Sequence, residues 1–263
     1  MASNLSTIGF DDSNPDELEE LLLKLAQEGR ARVATPFGDY AIWRSRTGAE
    51  VWFHLAPVEN DTGAVEREIT GLTPFFEGSS EVSLNVTEVV KRCEDTVMEG
   101  AFHAWVAPSV ESEGAYPIVF DAVDFAAVSH RTLPERRRAR ICGFAREVSA
   151  FADEPSFLSW QDEEPQMAPC SFIPVGLFAV SDNDAQGEGS SEPVPTSHAL
   201  IIGKVLAFEK LVNEESSKPF YWISVESLAA TYDVVASPEV VEGEIIVGGI
   251  VRAGCWLFGR AIT

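Results

Sequence analysis

Basic side chains are scarce in this chain. It has 19 lysines and arginines against 42 aspartates and glutamates, a formal net charge of −23 over 263 residues. Such a field repels phosphate backbones and anionic lipid surfaces, so neither nucleic acid nor a membrane is an expected partner. Long apolar runs are missing as well. No window reaches the 18 or so apolar residues that a membrane-spanning helix needs. Cysteine is sparse: Cys93, Cys142, Cys170 and Cys255 stand far apart, with no C-x-x-C pair to make a zinc knuckle or a redox couple. Buried, reduced thiols are the expectation. The first dozen residues have neither the basic nor the apolar segment of a secretory signal, so a cytoplasmic location is expected.

The common catalytic fingerprints are also absent. There is no G-x-S-x-G elbow, no P-loop, no G-x-G-x-x-G turn and no EF-hand spacing. The four histidines, His54, His103, His130 and His198, are isolated from one another, and a lone histidine on a strand is usually a hydrogen-bonded structural residue.

What the chain does have is β pattern. The stretch from 198 to 262 reads as three long strands: residues 199–211, then 220–236, then 245–262. Gly203 inside the first marks a bend or bulge. Glycines 248, 249, 254 and 259 among bulky residues suit a coiled strand in a small barrel. Residues 139–143 and 199–203 share the pattern Ala-x-Ile-x-Gly, read here as a recurring strand-with-bend. Residues 181–197, rich in glycine, serine, proline and acid, are expected to be a long connection.

The N-terminal segment holds the clearest helix. Asn14 suits the N-cap, Pro15 the first turn, and Glu17 the third helical position. Leu18, Leu21, Leu22 and Leu25 fall on one face, and Gly29 suits the end. A strand over residues 5–10 is expected before this helix, and strands over 32–35, 39–46 and 50–56 after it, giving a β-α-β-β-β unit. Residues 58–68 read as a connection. Strands are expected over 69–76, 81–90, 100–108, 117–128, 141–151 and 171–180, with acidic loop around 153–155 and 161–165. Residues 129–140 hold a basic island, including Arg131, Arg136, Arg137, Arg138 and Arg140. As a site it would suit an anion; as a solvated loop before a strand it would be balanced by acidic neighbours. It also falls at a plausible boundary between a domain of residues 1–130 and one of 136–263.

The order of elements and the run Ser-Arg-Thr-Gly-Ala-Glu-Val-Trp at 45–52 resemble one module of the glyoxalase/bleomycin-resistance (vicinal oxygen chelate) family over residues 5–57. The resemblance implies metal ligands on the first and last strands of the module. The last strand offers Glu50 and His54, four residues apart on one face. The first strand offers no ligand.

The sequence therefore predicts a mainly-β (α+β) protein. Its N-terminal unit is β-α-β-β-β, and its C-terminal part is an antiparallel, OB-like barrel. The leading functional expectation is a binding or interaction protein without a catalytic residue or cofactor, its partner a small molecule or a protein. Tryptophans on barrels can stack ligands; the candidates are Trp43, Trp52 and Trp222, with Arg137 from the basic island. The alternative is a metal-dependent lyase or isomerase of glyoxalase type, with a divalent metal at Glu50 and His54.

Overall fold

The computed structural model describes residues 3–29, 31–59, 65–162, 166–177 and 194–262. The protein is mainly β, with about half of its residues in strands. It opens on a 3-10 turn, Ser6–Ile8, in place of the strand expected of residues 5–10. Hydroxyls explain the difference. Ser3 Oγ accepts from the Ser6 N–H at 3.0 Å, and Thr7 Oγ1 donates to the Ser3 carbonyl at 2.8 Å. Such local bonds compete with strand pairing. Helix α1 (Pro15–Glu28) follows, with proline in its first turn as expected. Asn14, at its N-cap, donates to Glu17 Oε1 at 2.7 Å instead of capping a backbone N–H.

Strands β1 (Ala31–Thr35), β2 (Gly38–Arg44), β3 (Ala49–Glu59) and β4 (Val65–Phe76) form an antiparallel sheet in that order. Residues 58–59 and 65–68, expected in a connection, are strand instead, and residues 60–64 lie outside the described residues. Then come β5 (Val82–Val90), β6 (Ala101–Val106), β7 (Tyr116–Ala122) and a short helix, α2 (Phe125–Val128), where strand was expected to continue to residue 128.

Strand β8 (Glu135–Phe151) takes in Arg136, Arg137, Arg138 and Arg140, so most of the basic island is strand rather than loop. Helix α3 (Glu154–Trp160) replaces part of the expected acidic loop. Its N-cap Asp153 accepts from the Ser156 N–H. Strand β9 (Ser171–Ile173) is short and lies at an edge, ending at Pro174. Residues 178–180 of the strand expected over 171–180, and residues 181–193 of the low-complexity segment, lie outside the described residues.

The remaining strands are β10 (His198–Val212), β11 (Pro219–Ser227), β12 (Ala230–Ala236), β13 (Val241–Glu242) and β14 (Ile250–Ala261). Residues 245–249 form a turn before β14 rather than its beginning.

The second sheet closes on itself twice. One ring runs β5-β6-β7-β14-β8 and back to β5. The other runs β8-β14-β10-β11-β12 and back to β8. Both share the long antiparallel ribbon of β8 and β14, paired from Ala139↔Ala261 to Phe151↔Ile250. The rings are mixed rather than wholly antiparallel: β12 joins β8, and β7 joins β14, in parallel. Strands from residues 82–122 therefore hydrogen-bond into the same sheet as those from 135–261.

Burial explains why the middle of β8 reads as a continuous apolar run. Ile141 and Ala145 face the core that fills the rings, along with Leu84, Ile118, Ile201 and Val234. Cys142 and Phe144 face outward, where the four-stranded sheet covers them together with Phe258 on β14. Both faces of β8 are dry from residue 141 to 145, and alternation disappears from that part of the sequence. Among the described residues no helix is long and apolar enough to cross a membrane.

Candidate functional site

The outer edge of β14 changes neighbour along its length. Residues 250–256 pair with β10, while Phe258 and Gly259 pair with β7. At the fork the Leu257 N–H donates to the Ser197 carbonyl at 2.9 Å. The end of β7 and the start of β10 thus meet beside Trp256.

Polar side chains fill this fork. Asp121 is its centre. One carboxylate oxygen accepts from Arg92 at 2.8 Å and from Ser197 Oγ at 2.7 Å; the other accepts from the Trp256 indole at 2.8 Å. The Arg92 guanidinium also reaches Ser197 Oγ at 3.1 Å and lies 5.3 Å from the Trp256 ring centre. His198 packs edge-on against the same ring, with 4.5 Å between ring centres. Burial and the charges of Arg146 and Arg92 lower the His198 pKa against the pull of Asp121.

A cleft of about 250 Å³ opens in front of this cluster. Its walls carry charge of both signs, from Arg92, Arg146, Asp95, Glu99 and Asp121, and apolar surface from Leu72, Pro74, Trp256 and Phe258. Arg146 is tied to Asn4 by a 2.7 Å hydrogen bond. The cleft therefore lies where the four-stranded sheet, both rings and the N-terminal turn come together.

His54 sits directly behind one wall. It is 1% exposed, on β3, and its Nε2 is 3.0 Å from Thr73 Oγ1. Its Nδ1 is buried without a hydrogen-bond partner and lies 3.7 Å from Glu99 Oε1. Thr73 and Glu99 both line the cleft. Burial pushes the His54 pKa down to about 4, with Glu99 opposing, so the ring is neutral at neutral pH.

Glu50 shares a strand face with His54, as the spacing predicts, but belongs to a different cluster. Its fully buried carboxylate accepts from Arg44 at 2.7 Å, from Arg260 at 3.3 Å and from the Trp52 indole at 2.7 Å. Arg260 continues to Glu77 at 2.7 Å, and Glu77 to Arg140 at 3.9 Å. This chain of charges ties the four-stranded sheet to the ribbon.

The four proposed ligand-binding residues are dispersed, and none lines the cleft. Trp43 is buried against Phe10, Trp52 is held by Glu50, and the Trp222 indole donates to the buried Asp233 at 2.7 Å. Arg137 lies on β8 and pairs with Glu135. The rest of the basic island is paired too: Arg131 with Glu135, Arg138 with Glu81, and Arg136 with the Ser109 carbonyl.

Among the described residues no three His, Cys, Asp or Glu side chains gather closely enough to hold a metal ion. Glu50, already compensated by two guanidinium groups, does not join His54 in a donor set. The cleft residues escaped sequence reasoning because Thr73, Arg92, Asp121 and Trp256 come from four separate segments. One signal was visible: Asp121 is a lone carboxylate inside the apolar strand Pro-Ile-Val-Phe-Asp-Ala-Val. No family model and no curated protein matches this chain.

Proposed function

We propose that the protein binds a small polar molecule in the cleft beside Trp256. The carrying observation is the rigid cluster at its back. Asp121 holds Arg92, Ser197 and the Trp256 indole in fixed positions before any ligand arrives. Preorganised polar groups beside apolar surface are the usual makeup of small-molecule sites. Charges of both signs favour a ligand with both donor and acceptor groups, and Trp256 and Phe258 suit a flat or apolar part.

The topology supports an OB-like reading of the first ring. It has five strands, and α2 lies between its third and fourth strands in chain order. The net charge of −23 weighs against the oligonucleotides that such barrels often hold.

Nuclear magnetic resonance of the indole N–H groups tests this. The protein has six tryptophans, and Trp256→Phe identifies the Trp256 signal. A fragment library of small polar molecules should contain binders that move that signal and lose affinity in Trp256→Phe. Binders that move only the other indoles would overturn the reading.

A further inference from the structure

An acid and a hydroxyl on the cleft wall flank an imidazole directly behind it. We propose that Thr73 Oγ1 is a nucleophile for acyl transfer, with His54 as its base and Glu99 as the positioning carboxylate. This rests on the same cleft as the binding reading and extends it from recognition to chemistry.

The geometry carries the argument. Thr73 Oγ1 and His54 Nε2 are 3.0 Å apart, within reach for proton transfer. With the ring proton on Nδ1, Nε2 is the acceptor that a nucleophilic hydroxyl requires. That same Nδ1 has no hydrogen-bond partner, is fully enclosed, and faces Glu99 Oε1 at 3.7 Å. A side chain at Gly71 would intrude on this pair: its Cβ would stand 3.0 Å from Nδ1 and 3.5 Å from Glu99 Oε1. Thr73 itself lines the 250 Å³ cleft. Arg92, ion-paired with Asp121, and Arg146, bonded to Asn4, line it too, and their N–H groups are the donors for a tetrahedral oxyanion. The order acid, imidazole, hydroxyl is recognised by geometry and roles rather than by chain position.

The substrate is an ester. Thr73 Oγ1 attacks the carbonyl carbon and its proton passes to His54 Nε2. The carbon–oxygen bond to the alcohol breaks, and the alcohol leaves with that proton. Water then attacks the acyl-Thr73 ester by the same relay, releasing the carboxylic acid and restoring the hydroxyl. The Glu99 carboxylate stabilises the imidazolium that forms in each half.

The test uses p-nitrophenyl acetate on the full chain, with nitrophenol release and intact mass followed together. One acetyl group should appear on the peptide containing Thr73. Thr73→Ala should lower the rate roughly a hundredfold, and Thr73→Ser should retain it. His54 is too deeply buried for a safe truncation, so Glu99, at the surface of the cleft, serves as the second site. Glu99→Gln should slow acetylation about tenfold with an unchanged melting temperature, and Glu99→Asp should recover part of it. An undiminished rate in Thr73→Ala, or acetyl on another residue, would overturn the proposal. The indole signal of Trp256 reports ligand binding separately, so loss of acylation and loss of binding are told apart.

Discussion

Arg260 on β14 reaches Glu50 on β3 across 210 positions of sequence, with 3.3 Å between guanidinium nitrogen and carboxylate oxygen. Glu50 has no exposed surface, and the Arg260 side chain is only 15% exposed. Desolvating such a pair costs much of what its attraction returns, but removing one partner strands the other. Arg260→Met should therefore cost about 3 kcal/mol in urea unfolding, and so should Glu50→Gln. The double variant should recover a large part of the combined loss. Strict additivity would show that the two side chains do not depend on each other.

Asp124, at the N-terminus of α2, gives a pH dependence. Burial raises its carboxyl from 3.8 to about 6, against the pull of Arg260 and Arg137. The folded state therefore holds this proton more tightly than the unfolded chain does. Its contribution is fully present below the unfolded value and is lost as pH rises through about 6. Relative to Asp124→Asn, the native protein should lose on the order of 2–3 kcal/mol between about pH 4 and pH 7 and then level off. Urea unfolding across that range measures it; a constant difference between the two proteins would mean that the carboxyl titrates normally.

Gly203 is required for packing. A Cβ there would meet the Glu226 carbonyl oxygen on β11 and stand 2.8 Å from Val225 Cγ1. Gly203→Ala should destabilise the protein by about 2–3 kcal/mol through separation of β10 from β11. Gly248→Ala meets nothing within 4 Å, but its φ is +89°, so it should cost only about 1 kcal/mol. Melting curves that reverse this order would refute the assignment of Gly203 to close strand contact.

The thiols should divide into two classes. Cys93 and Cys170 are exposed, a correction to the expectation that all four would be buried, whereas Cys142 and Cys255 are enclosed. A disulfide reagent should modify two thiols in the native protein and four after unfolding. Cys170 should react before Cys93, whose thiol pKa is raised by its hydrogen bond to Glu94 and by that carboxylate's charge. Rapid reaction of all four in the native state would contradict the burial of Cys142 and Cys255.

The sequence by itself determined the mainly-β class, helix α1 and most of the strands. These follow from short-range physics: proline and acid at a helix start, leucines on one face, and strands of β-branched and aromatic residues between turns. It also located His54 as a residue to examine. Tertiary structure decided the rest. The two rings exist because β8 and β14 pair along their length and then part to different neighbours, which is a matter of register between segments about a hundred residues apart. Burial of the middle of β8 on both faces erased the alternation that marks a half-exposed strand, and the arginines of β8 looked like loop because the groups that hold Arg136, Arg138 and Arg140 lie far away in sequence. The cleft follows the same rule. Thr73, Glu99, Asp121 and Trp256 carry no local motif, since hydrogen bonds between side chains depend on distance in space, and only the closed fold sets that distance.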